Sequence, residues 1–452
     1  MTLGTIALAQ HIDDRTARGI ASTVGRMISN GDLAVGSRLP TVRALAKQLG
    51  VSPTTVSEAW QTLARVGALD ARGRQGTFVC QPTGPSTPRR YRRVTASIGG
   101  SGHFALDLST GTPDPELLPD LRPMIAKVSR QSLTSSYLDH AVLPDLDARL
   151  RADWPFQPEQ LTVVDGAMDA LDRVAQVVVR LGDRVVVEHP TFPPLLDLLD
   201  LLGAEIIGVD VGPQGPDVQQ MAAALALDPV AVFLQPRAQN PTGVTMTQHR
   251  ATELAAVLST SNALIIEDDH SGDIASGPLF SLGAWLPHRT IHIRSYSKSH
   301  GPDLRLAAVG GAGDVVSAVA NRRLLGPGWS SRVLQAVLVE MLDHQPTVDA
   351  VGAARIEYGR RRSAITDMLL AEHVPFTGSD GINLWMQVAD ERSALLTLAA
   401  QGIGVAPGVP FMVRDDQPSL RITVGLLDSD HASVGLRLAG AAGLRATASG
   451  QR

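Results

Sequence analysis

Apolar residues recur at helical spacing in three short segments near the start of the chain. Residues 16–30 place Ile20, Val24, Met27 and Ile28 on one face and end at Asn30-Gly31, a helix stop. A second stripe, Val42, Leu45, Ala46 and Leu49, is entered through a turn over 36–41 and closed by Gly50. Ser52 caps a third segment that begins at Pro53 and buries Val56, Ala59, Trp60, Leu63 and Val66 before Gly67. Residues 69–79 then read as two strands around a basic, glycine-containing hairpin. Helix, tight glycine turn, helix and hairpin predict a winged helix-turn-helix over 12–80. Periodicity vanishes over 81–104, a Pro/Gly/Ser/Arg-rich stretch that predicts a linker.

From residue 105 the pattern changes again. A helix is predicted over 167–181 from Leu171, Val174, Ala175 and Val178, and short apolar runs recur at 184–188, 205–211, 231–235, 263–267, 291–296 and 306–310 with helical segments between them. Continuous apolar strands alternating with helices predict an α/β body with a mostly parallel, buried sheet. Ligands of such sheets bind beyond the carboxyl ends of the strands.

Composition sharpens this picture in three places. A chain of 452 residues, 44% hydrophobic and 19% charged, is long enough for two or three globular domains, has no apolar run of membrane-spanning length and carries no basic-then-apolar leader pattern, so a cytoplasmic protein is expected. Its one cysteine, Cys80, excludes an intrachain disulfide framework and a cysteine-based zinc site, and no metal site is expected. The net charge of -5 hides an asymmetry: residues 1–104 carry +8, from 13 basic and five acidic groups, and the remainder -13. A basic amino-terminal part on an acidic body points to a polyanion as partner of the small part only.

The candidate chemistry lies at predicted strand ends. After the run at 291–296 come Ser297 and Lys298, with Ser295 two positions earlier and Arg305 seven residues on. Hydroxyls, an arginine and one amine at a strand end suit a phosphorylated aldehyde, which a desolvated lysine captures as a Schiff base. Asp165-Gly166-Ala167-Met168 opens a helix whose free amides suit a phosphate, Asn240-Pro241-Thr242-Gly243 follows one strand run, and Asp268-Asp269-His270 ends another.

Two resemblances organise these pieces. Leu39-Pro40-Thr41-Val42-Arg43-Ala44-Leu45-Ala46, then Gly50-Val51-Ser52, Thr55-Val56 and Gly76-Thr77-Phe78-Val79, closely resemble the winged helix of the GntR family. That resemblance implies a second helix in the major groove of double-stranded operator DNA, with Arg38, Arg43, Thr54, Thr55, Arg72, Arg74 and Gly76 as DNA contacts. Pro53 stands where the family usually has a basic residue.

Residues 105–445, with Pro190-Thr191-Phe192, the Asn-Pro-Thr-Gly turn, Asp268 and the Ser-Tyr-Ser-Lys run in this order, resemble fold type I, class I aminotransferases. The resemblance implies pyridoxal 5'-phosphate (PLP) as cofactor, a smaller C-terminal α+β subdomain and Lys298 as the Schiff-base lysine. Asp268 would keep the ring nitrogen cationic, Asn240 would donate to the ring hydroxyl and Phe192 would stack on the ring. Gly166, Ala167, Met168, Ser295, Ser297 and Arg305 would hold the phosphate, joined by Tyr137 from a partner subunit, and Arg421 would grip a substrate carboxylate. Two departures stand near the ligand: His270 replaces a tyrosine that bonds the ring hydroxyl, where imidazole can donate to the same oxygen, and residues 138–144 lack the usual Gly before a Leu-Arg pair.

A winged helix, a basic linker and an aminotransferase-like body on one chain resemble the MocR subfamily of GntR regulators. This implies a head-to-tail homodimer, each winged helix lying against the partner's body, that regulates transcription in response to PLP or another amino or vitamer effector. The alternatives are an active aminotransferase with an auxiliary winged helix, and a DNA-binding protein whose body only dimerises.

Overall fold

The computed structural model describes residues 8–29, 32–65, 68–73, 76–80, 89–90, 94, 104–131, 136–427 and 430–444. The expected stops at Asn30-Gly31 and Gly67, the contact residue Arg74, and most of the linker lie outside these residues.

Three helices open the chain: α1 (Ala17–Ser29), α2 (Val42–Leu49) and α3 (Pro53–Arg65). Their apolar stripes meet in one core with Ile20, Val24, Leu45, Leu49, Val56, Trp60 and Leu63 buried. Thr41 caps α2 by accepting from the Ala44 amide at 3.3 Å, and Gly50, at φ +69°, ends it in the left-handed conformation that glycine adopts without strain. Ser52 accepts from the Thr55 amide at 3.1 Å to start α3. Strands β1 (Leu69–Ala71) and β2 (Thr77–Val79) pair antiparallel as the wing.

The body is built on an eight-stranded sheet. Its strands are β4 (Gln160–Val164), β5 (Arg184–His189), β6 (Glu205–Gly212), β7 (Gly215–Pro216), β8 (Ala231–Leu234), β9 (Leu264–Asp269), β10 (Thr290–Ser295) and β11 (Ala307–Gly311), in the order β4-β11-β10-β9-β8-β5-β6-β7. β10, β9, β8, β5 and β6 are parallel neighbours, while β11 runs antiparallel to both β10 and β4. The carboxyl ends of β4, β10, β9, β8 and β5 therefore share one edge with the amino end of β11, and Arg305, just before β11, reaches the same edge.

Helix α4 (Ala167–Val178) follows β4 and packs Ala170, Leu171, Val174 and Ala175 onto the sheet. It ends three residues before the predicted boundary, because Val179 is already extended, and the chain then turns at Gly182, φ +83°, to enter β5. Helix α5 (Pro193–Leu202) follows β5.

A second sheet forms the smaller subdomain from β3 (Leu106–Leu108), β12 (Phe376–Thr377), β13 (Asn383–Gln387), β14 (Ile403–Pro407) and β15 (Ser419–Thr423), in the order β12-β13-β15-β14-β3. Its core joins Leu108, Leu384, Met386, Leu420 and Ile422 with Ile365 and Leu369 of a long helix, Gln345–Ala371. The first strand after the linker thus pairs with the C-terminal subdomain and ties the two ends of the body together. No helix among the described residues is long and apolar enough to cross a membrane.

Candidate functional site

On the winged helix, Arg38, Arg43 and Thr54 are exposed and Thr55 is half-buried. The Thr55 hydroxyl lies 2.8 Å from the Ser52 hydroxyl within the cap, so Thr54 is the freer of the two at the amino end of α3. Arg72 donates to Asp70 at 2.7 Å and lies over the Phe78 ring, 5.0 Å from its centroid; it is thereby braced inside the wing. Gly76, at φ +107°, lets the Arg38 side chain pass beneath the wing, where a Cβ would stand 2.6 Å from the Arg38 Nε. Arg43 projects from α2. As a phosphate contact it predicts that Arg43→Ala weakens binding similarly across DNA sequences and lowers the slope of log affinity against log salt by about one. Anisotropy titrations at several salt concentrations measure that slope, and an unchanged slope removes Arg43 from the interface.

The linker touches the body where it is described. The Arg90 guanidinium pairs with Asp200 at 3.2 Å and its amide donates to Asp197, both on α5. Val94 is buried with Trp385 and Phe411. The cationic linker reading gains a body contact at Arg90.

At the strand ends of the large sheet the predicted residues converge. Lys298 follows β10, and its Nζ lies 2.9 Å from Nδ1 of His270, which follows β9. Burial pushes the Lys298 ammonium down to about 8, with the Arg421 charge acting the same way and Asp268 opposing. Asp268 is buried, and its Oδ2 accepts from the Gln235 side-chain amide at 2.8 Å while its Oδ1 has no hydrogen-bond partner. Burial raises this carboxyl to about 6, against the pull of Gln235 and Lys298. Strand alternation turns Asp269 the other way, into a two-pronged ion pair with Arg237 at 2.5 and 3.1 Å.

Asn240 is buried and donates its amide N–H to Gln235 at 2.8 Å, with its side-chain oxygen 3.5 Å from Arg421. Arg421, on β15, also donates to the Ser109 carbonyl and lies over the Phe411 ring. The smaller subdomain thereby closes one side of the site. Opposite, Gly166, at φ +104°, precedes α4, and a Cβ there would meet the Arg305 guanidinium at 3.0 Å. Arg305 in turn donates to the Asp165 carbonyl at 2.7 Å. Ala167 and Met168 form the first turn of α4, Ser295 is buried at the end of β10, and Ser297 lies half-exposed beside Lys298. Phe192 is half-buried at the start of α5.

Tyr137 stands apart from this group. It is 84% exposed and lies beside Trp329, on a loop whose Ser136, Asp139 and His140 carbonyls accept from Arg332. Leu138, Leu324 and Leu325 are exposed as well.

The support behind Asp268 was not among the predicted residues. Gln235 joins Asp268 to Asn240, and Gln239 donates to the Pro190 carbonyl at 2.8 Å. Glu188, fully buried in β5, accepts from the Gln235 amide at 3.1 Å, and burial pushes its carboxyl up to about 8. An acid closing the apolar run 185–187 and a glutamine closing the run 231–234 were the available signals.

One histidine–carboxylate cluster, His189, Asp210 and Asp416, is found among the described residues. The His189 Nδ1 accepts from the Val413 amide at 3.2 Å, so a neutral ring carries its proton on Nε2, which faces Asp416 at 3.1 Å. That ring nitrogen has no lone pair for an ion, and the contact acts as a latch for the loop around Val413.

Comparison with known proteins agrees with the two-part architecture. Residues 16–79 match the family described as bacterial regulatory proteins, gntR family, and residues 105–434 match aminotransferase class I and II. The vitamin B6 salvage pathway transcriptional repressor PtsJ of Salmonella typhimurium is 32% identical over 424 residues, covering 92% of this chain and 96% of that protein. The pyridoxine biosynthesis transcriptional regulator PdxR of Corynebacterium glutamicum is 29% identical, covering 65% of each. Among solved structures, a kynurenine aminotransferase of Pyrococcus horikoshii superposes with a TM-score of 0.70 at 21% identity, covering 78% of this chain and 93% of that one. LysN, an α-aminoadipate aminotransferase of Thermus thermophilus, reaches 0.68 at 22% identity, covering 77% and 96%. These likenesses establish the fold of the body.

Proposed function

Since the chain belongs to the gntR-type transcriptional regulators that carry an aminotransferase class I and II domain, the MocR subfamily, we propose that it binds operator DNA in response to PLP captured by Lys298. The observation that carries this reading is one helix with two ends. The amino end of α4 forms the cradle at Gly166 with Arg305, and its carboxyl end runs into Leu181-Gly182-Asp183, on which the winged helix rests. Leu181 packs against the winged-helix core beside Gly25 and Leu63. Arg18 of α1 pairs with Asp183 at 2.6 Å. A helix of 12 residues is about 18 Å long and shifts as a rigid unit, so an anion that draws on its first amides also acts on the surface that seats the DNA-binding domain.

The site residues fit the cofactor that the fold implies. Asp268 Oδ1 is a buried acceptor lacking a partner, as a protonated ring nitrogen requires. Gly166 leaves open a cradle that a Cβ would fill beside the Arg305 guanidinium. When bound, PLP supplies an aldehyde and an electron-withdrawing ring. Lys298 holds an amine that loses its proton near pH 8, Asn240 and His270 flank it, and Phe192 offers an apolar face. The exposed Tyr137, Leu138, Leu324 and Leu325 suit burial against a second copy, with Tyr137 reaching that copy's phosphate site in a homodimer; the head-to-tail expectation sets each winged helix against the partner's body, whereas here Arg18 and Leu181 seat it on its own. A cytoplasmic location follows from the DNA partner.

Titrating the protein onto DNA that it selects from a random library, with and without PLP, tests the reading. A PLP-dependent change of five-fold or more is expected, about the lower end of ordinary coupling; equal affinity in both arms would refute it. The buried Arg421 also suits an amino-acid carboxylate and favours a second reading, an active aminotransferase. Sustained conversion of an amino acid and a keto acid by the purified protein would establish that one instead.

A further inference from the structure

His270 occupies the position from which a hydrogen-bond donor is expected to reach the cofactor's ring hydroxyl, yet its proton is committed elsewhere. Its Nε2 lies 3.0 Å from the Ala238 carbonyl, and a carbonyl only accepts, so the proton sits on Nε2. Nδ1 then carries a lone pair and is directed at Lys298 Nζ, 2.9 Å away. Ala238 adopts φ +45°, a left-handed conformation rare for alanine, and a Cβ at Gly381 would stand 2.5 Å from the Ala238 Cβ. The carbonyl is therefore held in place by packed backbone and not by chance. The ring is buried, and burial together with the Lys298 charge keeps it neutral far into the acid range, with Asp269 opposing and Arg237 assisting.

We infer that His270 is an acceptor at the ring-hydroxyl position and that it holds the ring oxygen of the captured PLP in its protonated form. The inference rests on the capture of PLP by Lys298 and adds what the captured group is for. In the Schiff base, formed as the Lys298 amine bonds to the aldehyde carbon and water leaves, a single proton is shared between the imine nitrogen and the ring oxygen. Asn240 donates to that oxygen whatever stands at 270, so residue 270 sets the difference: a second donor there would send the proton to the nitrogen, and an acceptor would keep it on the oxygen. An imine without that proton is a poorer electrophile, so incoming amines exchange slowly with Lys298. The ligand class that this site reports is accordingly the phosphorylated pyridine aldehyde itself and not an amino acid, and the residue that makes the choice is His270.

Three measurements test this. Nitrogen-15 spectra of the full-length protein without cofactor, with His270 assigned by its loss in His270→Phe, are expected to show a protonated Nε2 and an unprotonated Nδ1. After reconstitution with PLP, the wild-type chain is expected to absorb mainly in the near-ultraviolet band of the protonated ring oxygen. His270→Tyr is expected to raise the ratio of visible to near-ultraviolet absorbance by about tenfold, the effect of exchanging an acceptor for a donor beside a charged group, and His270→Phe to fall between. Borohydride reduction followed by mass spectrometry reports the Schiff base independently of its band. A reducible adduct that absorbs in the visible band in all three proteins, or a protonated Nδ1, overturns the inference alone. Absence, after unbound PLP is removed, of both absorption bands and of any reduced adduct in the wild type overturns the capture of PLP and this inference with it.

Discussion

Lys298→Ala is expected to abolish the borohydride-fixed adduct with PLP entirely, and with it the PLP dependence of DNA binding, while the protein still folds and still binds DNA. Among the described residues placed at the site, Lys298 carries the one primary amine, the group that forms an imine with an aldehyde. Stability should not fall. The folded-state pKa of about 8 lies below the ordinary lysine value of 10.5, so between those two values the unfolded chain binds the extra proton and stability rises with pH. Below pH 8 the ammonium is retained in both states and the folded one bears its desolvation, which alanine relieves. Mass spectrometry after reduction and a thermal unfolding scan at pH 7 check both halves. A surviving adduct would assign the chemistry to another amine, and a melting temperature lowered by many degrees would mean that Lys298 is a structural cation.

The same lysine sets the pH dependence of capture. Only the neutral amine adds to an aldehyde, so the rate of adduct formation in the wild type should rise about tenfold per pH unit below 8 and level off above it. The position of the plateau reads the burial directly: a profile still climbing at pH 10 would place the amine in solvent.

Much of this site was legible along the chain because polar groups that end apolar strand runs have a defined place in a parallel sheet. Lys298, Asp268 and Asn240 each stand at or beyond such a strand end, and the caps at Thr41 and Ser52 mark the helices by equally local chemistry. Partners that meet across the sheet were not legible in this way. Gln235, which joins Asp268 to Asn240, and Glu188 behind it come from strands far apart in sequence, and only the sheet order makes them neighbours. His270 stands at the end of β9 beside Lys298, and its Nε2 faces the Ala238 carbonyl, which turns Nδ1 toward the amine as an acceptor. The direction of its proton depends on the Ala238 carbonyl, 32 residues away, and no property of residue 270 encodes that. Arg72 was read as a contact for DNA, and its pairing with Asp70 and Phe78 gives it a further task within the wing.

Leu181→Asp is expected to leave the captured cofactor intact and to remove its effect on DNA. Leu181 is the apolar residue that the body places against the winged-helix core, beside Gly25 and Leu63. The Arg18–Asp183 pair next to it joins a buried carboxylate to a half-exposed guanidinium and contributes little alone. A carboxylate at 181 would enter an apolar contact and lie near Asp183, so both burial cost and like-charge repulsion release the DNA-binding domain from the end of α4. Coupling between two sites is typically a factor of about 5–150 in affinity, and whatever factor PLP exerts on the wild type should shrink to about one in the variant. The absorption spectrum and the reducible adduct, read at the other end of the helix, should be unchanged. If DNA binding by Leu181→Asp kept its full response to PLP, the signal would have to pass by a route other than α4. If the adduct were lost as well, residue 181 would be needed for the fold of the body and not for its communication with the winged helix.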